Sequence, residues 1–178
     1  MTELVGTLDE LNRRLERLER GERPRTRLKK VTANGVTVVV GGTDASSVVA
    51  NLRTAFDGLF FHVDEVAATP GINVLVDFAS VARFTSVQCL SVYAGSSTHA
   101  VAIQLYNYTT TTWDTFNAAQ DGQHDITTVG GYIMDNHSFF VPDCRDYISA
   151  GVTLLRYYHT MAGTASHDLY IDCVALYI

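Results

Sequence analysis

From Val31 onward, apolar residues recur at every second position in run after run, and this period of two points to β-strands. The runs are GVTVVVGG, GLFFHVDEVA, INVLVDFA, SVQCLSVYAG, HAVAIQLYNY, HSFFVP, GVTLLRYYHT and HDLYIDCVALYI. They are rich in Val, Ile, Leu, Tyr, Phe and Thr, and clusters of Gly, Asn, Asp and Pro separate them. At least eight strands at this spacing, with DASSVVANLRTAFD as the one stretch of helical character, predict an all-β antiparallel sandwich or barrel. NYTTTTWDTF reads as a tight connection that returns through Trp113 and Phe116. With 178 residues, 47% of them hydrophobic, the chain can fill one sizeable core and is too short for two ordinary domains.

The first residues follow a different rhythm. Leu4, Leu8, Leu11, Leu15 and Leu18 are spaced 4, 3, 4, 3, a heptad seam with Leu8 and Leu15 at a and the other three at d. Thr2 or Thr7 supplies an N-cap, and Gly21 followed by Pro24 stops the helix. A helix of about 18 residues is marginal alone in water, so its leucine stripe needs a partner. A second copy of the chain is the favoured partner, because the stripe is strictly a/d; packing back onto the sandwich is the alternative. Leucine at both positions does not choose between dimer and trimer. The expected organisation is an oligomerising coiled-coil helix over 1–21, a basic linker over 22–33 and a β-sandwich over 34–178.

Charge divides along the same line. Residues 1–30 hold nine Lys or Arg against six Asp or Glu, whereas the remainder holds four against thirteen. Arg23, Arg25, Arg27, Lys29 and Lys30 form a strap suited to docking on an acidic protein surface, or a solvated hinge. Nucleic acid is not expected, since no aromatics interleave with these charges and the larger segment is acidic. A membrane is not expected either, since no apolar run approaches the roughly 20 residues a span requires. MTELVGTLDELNRR carries acids where a signal peptide has basic residues, so synthesis and folding in a cytoplasm are expected.

Two phrases nearly repeat, YAGSSTHAVAIQLY at 93–106 and MAGTASHDLYIDCV at 161–174. Each is expected to mark a hairpin. The first joins SVQCLSVY to HAVAIQLYNY, and the second joins GVTLLRYYHT to HDLYIDCVALYI. Gly95 and Gly163 are expected to supply a positive φ at the turns. His99 and His167 then stand at strand entries and not in a paired site.

The residues that carry chemistry form no known catalytic pattern. GxSxG, HExxH, P-loop and dinucleotide fingerprints are absent, so no catalytic residue and no cofactor is assigned. Asp121 to Asp125, Asp135 to His137, Asp57, Asp143 and Asp146 are the best oxygen-rich candidates for Ca²⁺. Solvated loop acids account for them, and no metal is assigned. Cys89 and Cys173 sit in apolar runs as buried thiols, and Cys144 sits in a loop, with no disulfide framework. Asp168 and Asp172 are expected to share a face opposite His167. Arg156, mid-strand in an acidic segment, is expected to pair with an acid on a neighbouring strand. AAQDGQHDITTVGG is the longest polar loop and a natural place for function. A glycan site needs exposed aromatics, and Tyr108 and Trp113 are its candidates among Tyr106, Tyr132, Tyr157 and Tyr158.

The order VYAGSSTHAVAIQLYNYTTTTWDTF, DYISAGVTLLRYYHT, ASHDLYIDCVALYI resembles the jelly-roll β-sandwich module of tailed-bacteriophage virion proteins. That module is similar in layout to galactose-binding-like carbohydrate modules, and the resemblance covers roughly residues 50–178. With a short coiled coil in front, the chain resembles trimeric phage appendage and capsid-decoration proteins. The resemblance implies a non-enzymatic homotrimer, assembled in the host cytoplasm and located in the virion. Its partners would be other copies of itself and the major capsid or neck and tail proteins, which it decorates as a cement protein or projects from. A carbohydrate- or host-receptor-binding module of a tail fibre, taking a cell-surface glycan, is the alternative. No catalytic residues come with this family.

Overall fold

The computed structural model describes residues 29–95, 99–120 and 135–178. The coiled-coil seam of Leu4, Leu8, Leu11, Leu15 and Leu18 lies outside them, as do Arg23, Arg25 and Arg27. Twelve strands are formed by the described residues: β1 (Lys30–Thr32), β2 (Gly35–Val40), β3 (Gly42–Thr43), β4 (Phe61–Asp64), β5 (Ile72–Phe78), β6 (Ser86–Ala94), β7 (Ala100–Asn107), β8 (Thr112–Gln120), β9 (Asp135–Asn136), β10 (Phe139–Phe140), β11 (Thr153–His159) and β12 (Asp168–Tyr177). One sheet runs β10-β6-β12-β4-β3, with β1 added to β12 and β9 to β6. The other runs β2-β5-β11-β7-β8. All pairings are antiparallel, and the fold is the expected all-β sandwich.

Alternation decides which side chains meet between the sheets. Along β5 and β11 every second residue is buried, which sends Val74, Val76, Phe78, Leu155 and Tyr157 inward. Val63, Val87, Leu169 and Ile171 answer from the other sheet, and burial of these side chains supplies most of the driving force for the fold. In β12 the register to β6 shifts between Ile171 and Cys173, a β-bulge that exchanges the faces. Val174 and Leu176 therefore continue the core begun by Leu169 and Ile171. Asp172, expected to share a face with Asp168, is the extra residue of this bulge. It is buried and accepts a 2.8 Å hydrogen bond from the Phe56 N–H.

The β7–β8 connection is the tight turn the sequence indicates. Asn107 Oδ1 accepts the N–H groups of Thr109 and Thr110, each at 3.0 Å, and Thr111 takes a φ of 58°. The other two expected hairpins do not form. β6 and β7 belong to different sheets, and so do β11 and β12. At each repeated Gly–hydroxyl–His phrase the strand before and the strand after lie in opposite sheets instead. The sandwich also begins inside the segment expected to be linker. Lys30, Val31 and Thr32 pair with Tyr177, Leu176 and Ala175, because Val31 packs against the core.

The register places three such crossings at one end of the molecule. Asp168, at the start of β12, lies opposite both Asp64 and Ala94, the last residues of β4 and β6. In the second sheet His159, the last residue of β11, lies opposite Ile72, the first of β5. The connections β4–β5, β6–β7 and β11–β12 thus pass from sheet to sheet side by side.

Candidate functional site

Two arrangements stand out, one on a sheet face and one at the crossing end. On the five-stranded sheet, the outward positions of β11 are Leu154, Arg156 and Tyr158, all half-buried. Arg156 sits opposite Leu75 on one side and Gln104 on the other, Gln104 sits opposite Thr115, and Tyr106 sits opposite Trp113. The Arg156 guanidinium carbon lies 4.2 Å from the Trp113 ring centroid and 4.0 Å from that of Tyr158. Its Nε–H donates to Gln104 Oε1 at 2.6 Å, and the Gln104 amide donates in turn to Thr115 Oγ1 at 2.7 Å. Among the described residues no carboxylate pairs with Arg156, contrary to expectation. Two aromatic faces take the place of the acid. Partial burial holds its pKa below the usual arginine range without threatening its charge.

The row of rings continues beyond the arginine. Tyr106 packs edge-on against Trp113 at 5.1 Å and against Tyr108 at 5.0 Å. Tyr108, Tyr106, Trp113, Arg156 and Tyr158 therefore form one connected strip, with Gln104 and Thr115 beside it. Aromatic faces stack on the C–H faces of flat polar rings, and the guanidinium and amide bond their hydroxyl or carboxylate groups. Tyr108 and Trp113 were legible as candidates. Tyr158 is among the aromatics the sequence offers, but its place with Arg156 beside Trp113 escapes sequence reasoning, because only strand pairing brings β11 beside β7 and β8.

At the crossing end, a polar cluster fills the space between the sheets. Glu65 follows β4, His99 precedes β7, His159 ends β11 and His167 precedes β12. Glu65, His159 and His167 are buried. The His159 Nδ1–H donates to Glu65 Oε1. Glu65 Oε2 accepts the Thr164 N–H at 2.9 Å and lies 3.2 Å from His167 Nδ1, which is also 3.3 Å from the Tyr93 hydroxyl. The His99 ring stands 4.9 Å from that of His159 and 5.3 Å from that of His167. Among the described residues, His99 Nδ1 is buried without a hydrogen-bond partner.

Glycine makes room for this cluster. A Cβ on Gly95 would lie 2.6 Å from the His167 ring, and one on Gly163 would lie 2.3 Å from both Glu65 Cγ and the Val66 carbonyl oxygen. A Cβ on Gly71 would approach Glu65 Oε1 to 2.7 Å. Neither Gly95 nor Gly163 has the positive φ expected of it; each is glycine because a neighbour presses on its Cα. The two histidines of the repeated phrases, expected at separate strand entries, are brought into an edge-on ring contact.

A third group lies on the surface nearby. His62 Nδ1 is 2.8 Å from Asp44, and its Nε2 is 3.2 Å from Asp168 and 3.4 Å from Asp64. Its ring stacks on Tyr170 at 4.5 Å. Burial works against the charged imidazole, but hydrogen bonds to Asp44 and Asp168, with the charges of Asp64 and Asp168, outweigh it and raise its pKa.

The other sequence candidates fall apart from these groups. Lys30 Nζ donates to the Arg53 carbonyl at 3.2 Å, and the Lys29 carbonyl accepts from the Ile178 N–H at 2.9 Å. Asp57 accepts from the Leu59 N–H, Asp146 from the Thr109 hydroxyl, and Asp143 chelates the Arg145 side chain. Asp121 to Asp125 and Tyr132 lie outside the described residues, and His137 is buried. Cys89 and Cys173 are buried free thiols and Cys144 is half-buried.

No family model matches the chain, and no curated protein is similar to it in sequence. Solved structures share its shape. One contains the CBM22-1 and GH10 modules of Clostridium thermocellum endo-1,4-β-D-xylanase 10B complexed with xylohexaose, with a TM-score of 0.50 and 11% identity over 84% of this chain. This chain spans 27% of that one. The xylan-binding module CBM15 has a TM-score of 0.48 at 13% identity, covering 85% of this chain and 97% of its own. The enzymatically active domain of bacteriophage CBA120 tailspike protein 4 has a TM-score of 0.40 at 13% identity, covering 85% and 19%. The all-β antiparallel sandwich of two sheets matches the jelly-roll folds of these carbohydrate-binding modules.

Proposed function

We propose that this chain is a non-catalytic carbohydrate-binding module that takes a glycan along the outward face of its five-stranded sheet. The observation that carries the reading is Arg156, clamped between Trp113 and Tyr158 and oriented by Gln104. Such a strip pre-pays the ordering of its longest side chain, so a sugar meets a rigid aromatic surface with donors already aimed. The xylanase structure that shares the fold, which contains CBM22-1 and GH10 modules, is complexed with xylohexaose, and this makes xylan-type chains the first ligands to try.

A glycan array that includes xylo-oligosaccharides and uronic-acid-bearing polysaccharides tests this. Binding is expected, and Trp113→Ala, Tyr158→Ala or Arg156→Ala should each weaken it about tenfold, equivalent to about 1.4 kcal/mol. Binding unaffected by all three substitutions, or none to any glycan by the folded protein, overturns the reading.

The second reading places the module in a phage particle, carried at the end of an oligomeric stalk and recognising a host-surface glycan or decorating the capsid. The heptad seam of Leu4 to Leu18 and the basic strap after it support this, since several weak faces on one oligomer bind with added avidity. Removing residues 1–21 should then convert an oligomer, a trimer on this reading, to monomer by light scattering. An unchanged mass rules out the stalk.

A further inference from the structure

We propose that Glu65, His99 and His167 bind one divalent transition-metal ion of the zinc type, with His159, Tyr93 and Thr164 as positioning residues around it. Each of the three ligand residues offers an atom, and these atoms lie within 4.8 Å of one another. Ligands of a tetrahedral zinc at about 2.0–2.2 Å stand roughly 3.4 Å apart, so modest rotation of two imidazoles and one carboxylate brings three protein ligands to bonding distance, with a water as the fourth.

The chemistry of the set selects the ion. Two imidazole nitrogens with one carboxylate oxygen suit zinc and its neighbours, whereas Ca²⁺ and Mg²⁺ take shells of oxygen. The surroundings supply the outer contacts that such sites use. His159 holds one oxygen of Glu65, the Thr164 N–H holds the other, and the Tyr93 hydroxyl stands by His167.

The alternative is a metal-free network, and it fits the cluster less well. A carboxylate and two imidazoles are buried here at a desolvation cost that apolar residues would avoid. His99 adds a buried nitrogen with no hydrogen-bond partner among the described residues. Three glycines are spent on admitting these groups. The ligands come from three separate crossings, β4–β5, β6–β7 and β11–β12, so one ion ties all three together and joins the two sheets. Binding would then stabilise the fold through linkage.

The test uses the full, untagged chain stripped with a chelator and titrated with Zn²⁺ alone against a chromophoric competitor. One equivalent is expected to bind saturably, and Co²⁺ in its place should show the visible d–d bands of a four-coordinate site. The thermal midpoint should rise with the logarithm of free Zn²⁺. His99→Ala, at a half-buried position, should fold and lose about 100-fold or more in affinity. Glu65→Gln should do the same where it folds.

His62→Ala is the control for the surface group of His62, Asp64 and Asp168, and should leave affinity within about threefold. No saturable equivalent, an unmoved thermal midpoint, or binding lost with His62→Ala and kept with His99→Ala overturns the proposal and makes the cluster a metal-free network.

Discussion

Gly163→Ala puts one methyl group where the structure leaves no room. The added Cβ would sit 2.3 Å from the Val66 carbonyl oxygen and 2.3 Å from Glu65 Cγ. An ordinary carbon–oxygen contact is about 3.3 Å or longer, so backbone and side chain must each retreat by about 1 Å. Overpacking of this kind costs about 1–3 kcal/mol. The φ of Gly163 lies outside the left-handed region, so the same change also gains about 0.4–1 kcal/mol by restricting the unfolded chain. The net expectation is a loss of about 1–2 kcal/mol, or a thermal midpoint lower by roughly 2–8 °C for a chain of this size.

Urea unfolding followed by the fluorescence of Trp113, the sole tryptophan, gives the free energy, and calorimetry gives the midpoint. Gly58→Ala serves as the comparison. Gly58 has a φ of 80° and, among the described residues, no atom within 4 Å of an added Cβ, so its loss of about 1 kcal/mol arises from backbone strain. Gly163→Ala should weaken zinc binding as well, while Gly58→Ala should not. A Gly163→Ala protein within about 0.5 kcal/mol of the parent, with zinc binding intact, refutes the close-approach argument.

Two further expectations follow from charge and burial. The pKa of His62 is raised above its ordinary 6.5, so its stabilising contribution is complete below pH 6.5 and is lost as pH rises through the higher folded value. The stability difference between the parent and His62→Asn should therefore be larger at acid pH than at alkaline pH, and a difference that grows with pH contradicts the assignment. Burial pushes the Cys89 thiol up to about 12, and Cys173 is raised for the same reason. In mass-spectrometric alkylation of the native protein at mildly alkaline pH, Cys144 should react first, with Cys89 and Cys173 reacting only on unfolding.

The sequence announces strands better than it announces their partners. Alternation in INVLVDFA and GVTLLRYYHT fixes which residues face the core, and those faces are the ones observed. It carries no record of which strand lies alongside. AGSST and MAGTAS read as hairpin turns because a glycine followed by hydroxyl residues ends a strand in the same way whether the next one pairs or crosses. His99 and His167 were therefore read as unrelated, although the crossings put them 5.3 Å apart. Arg156 was assigned an acid for a similar reason. Its aromatic neighbours are remote in sequence and become neighbours only through the β11–β7–β8 order. The bulge at Asp172 left no mark in the apolar pattern, since Cys173 and Ala175 are as apolar as the core residues they alternate with.

The short strand β1 has a mechanical consequence. Its three residues pair with Ala175, Leu176 and Tyr177, beyond the bulge from the stretch of β12 that pairs with β4. The segment before Lys29 enters the sandwich through this ladder. Tension applied through that segment along the strand axis loads all three rungs together in shear, so none opens before the others. If the sheet face holds a glycan while the leading segment is anchored, β1 is the first contact to bear the load, and its release lengthens the tether up to β2.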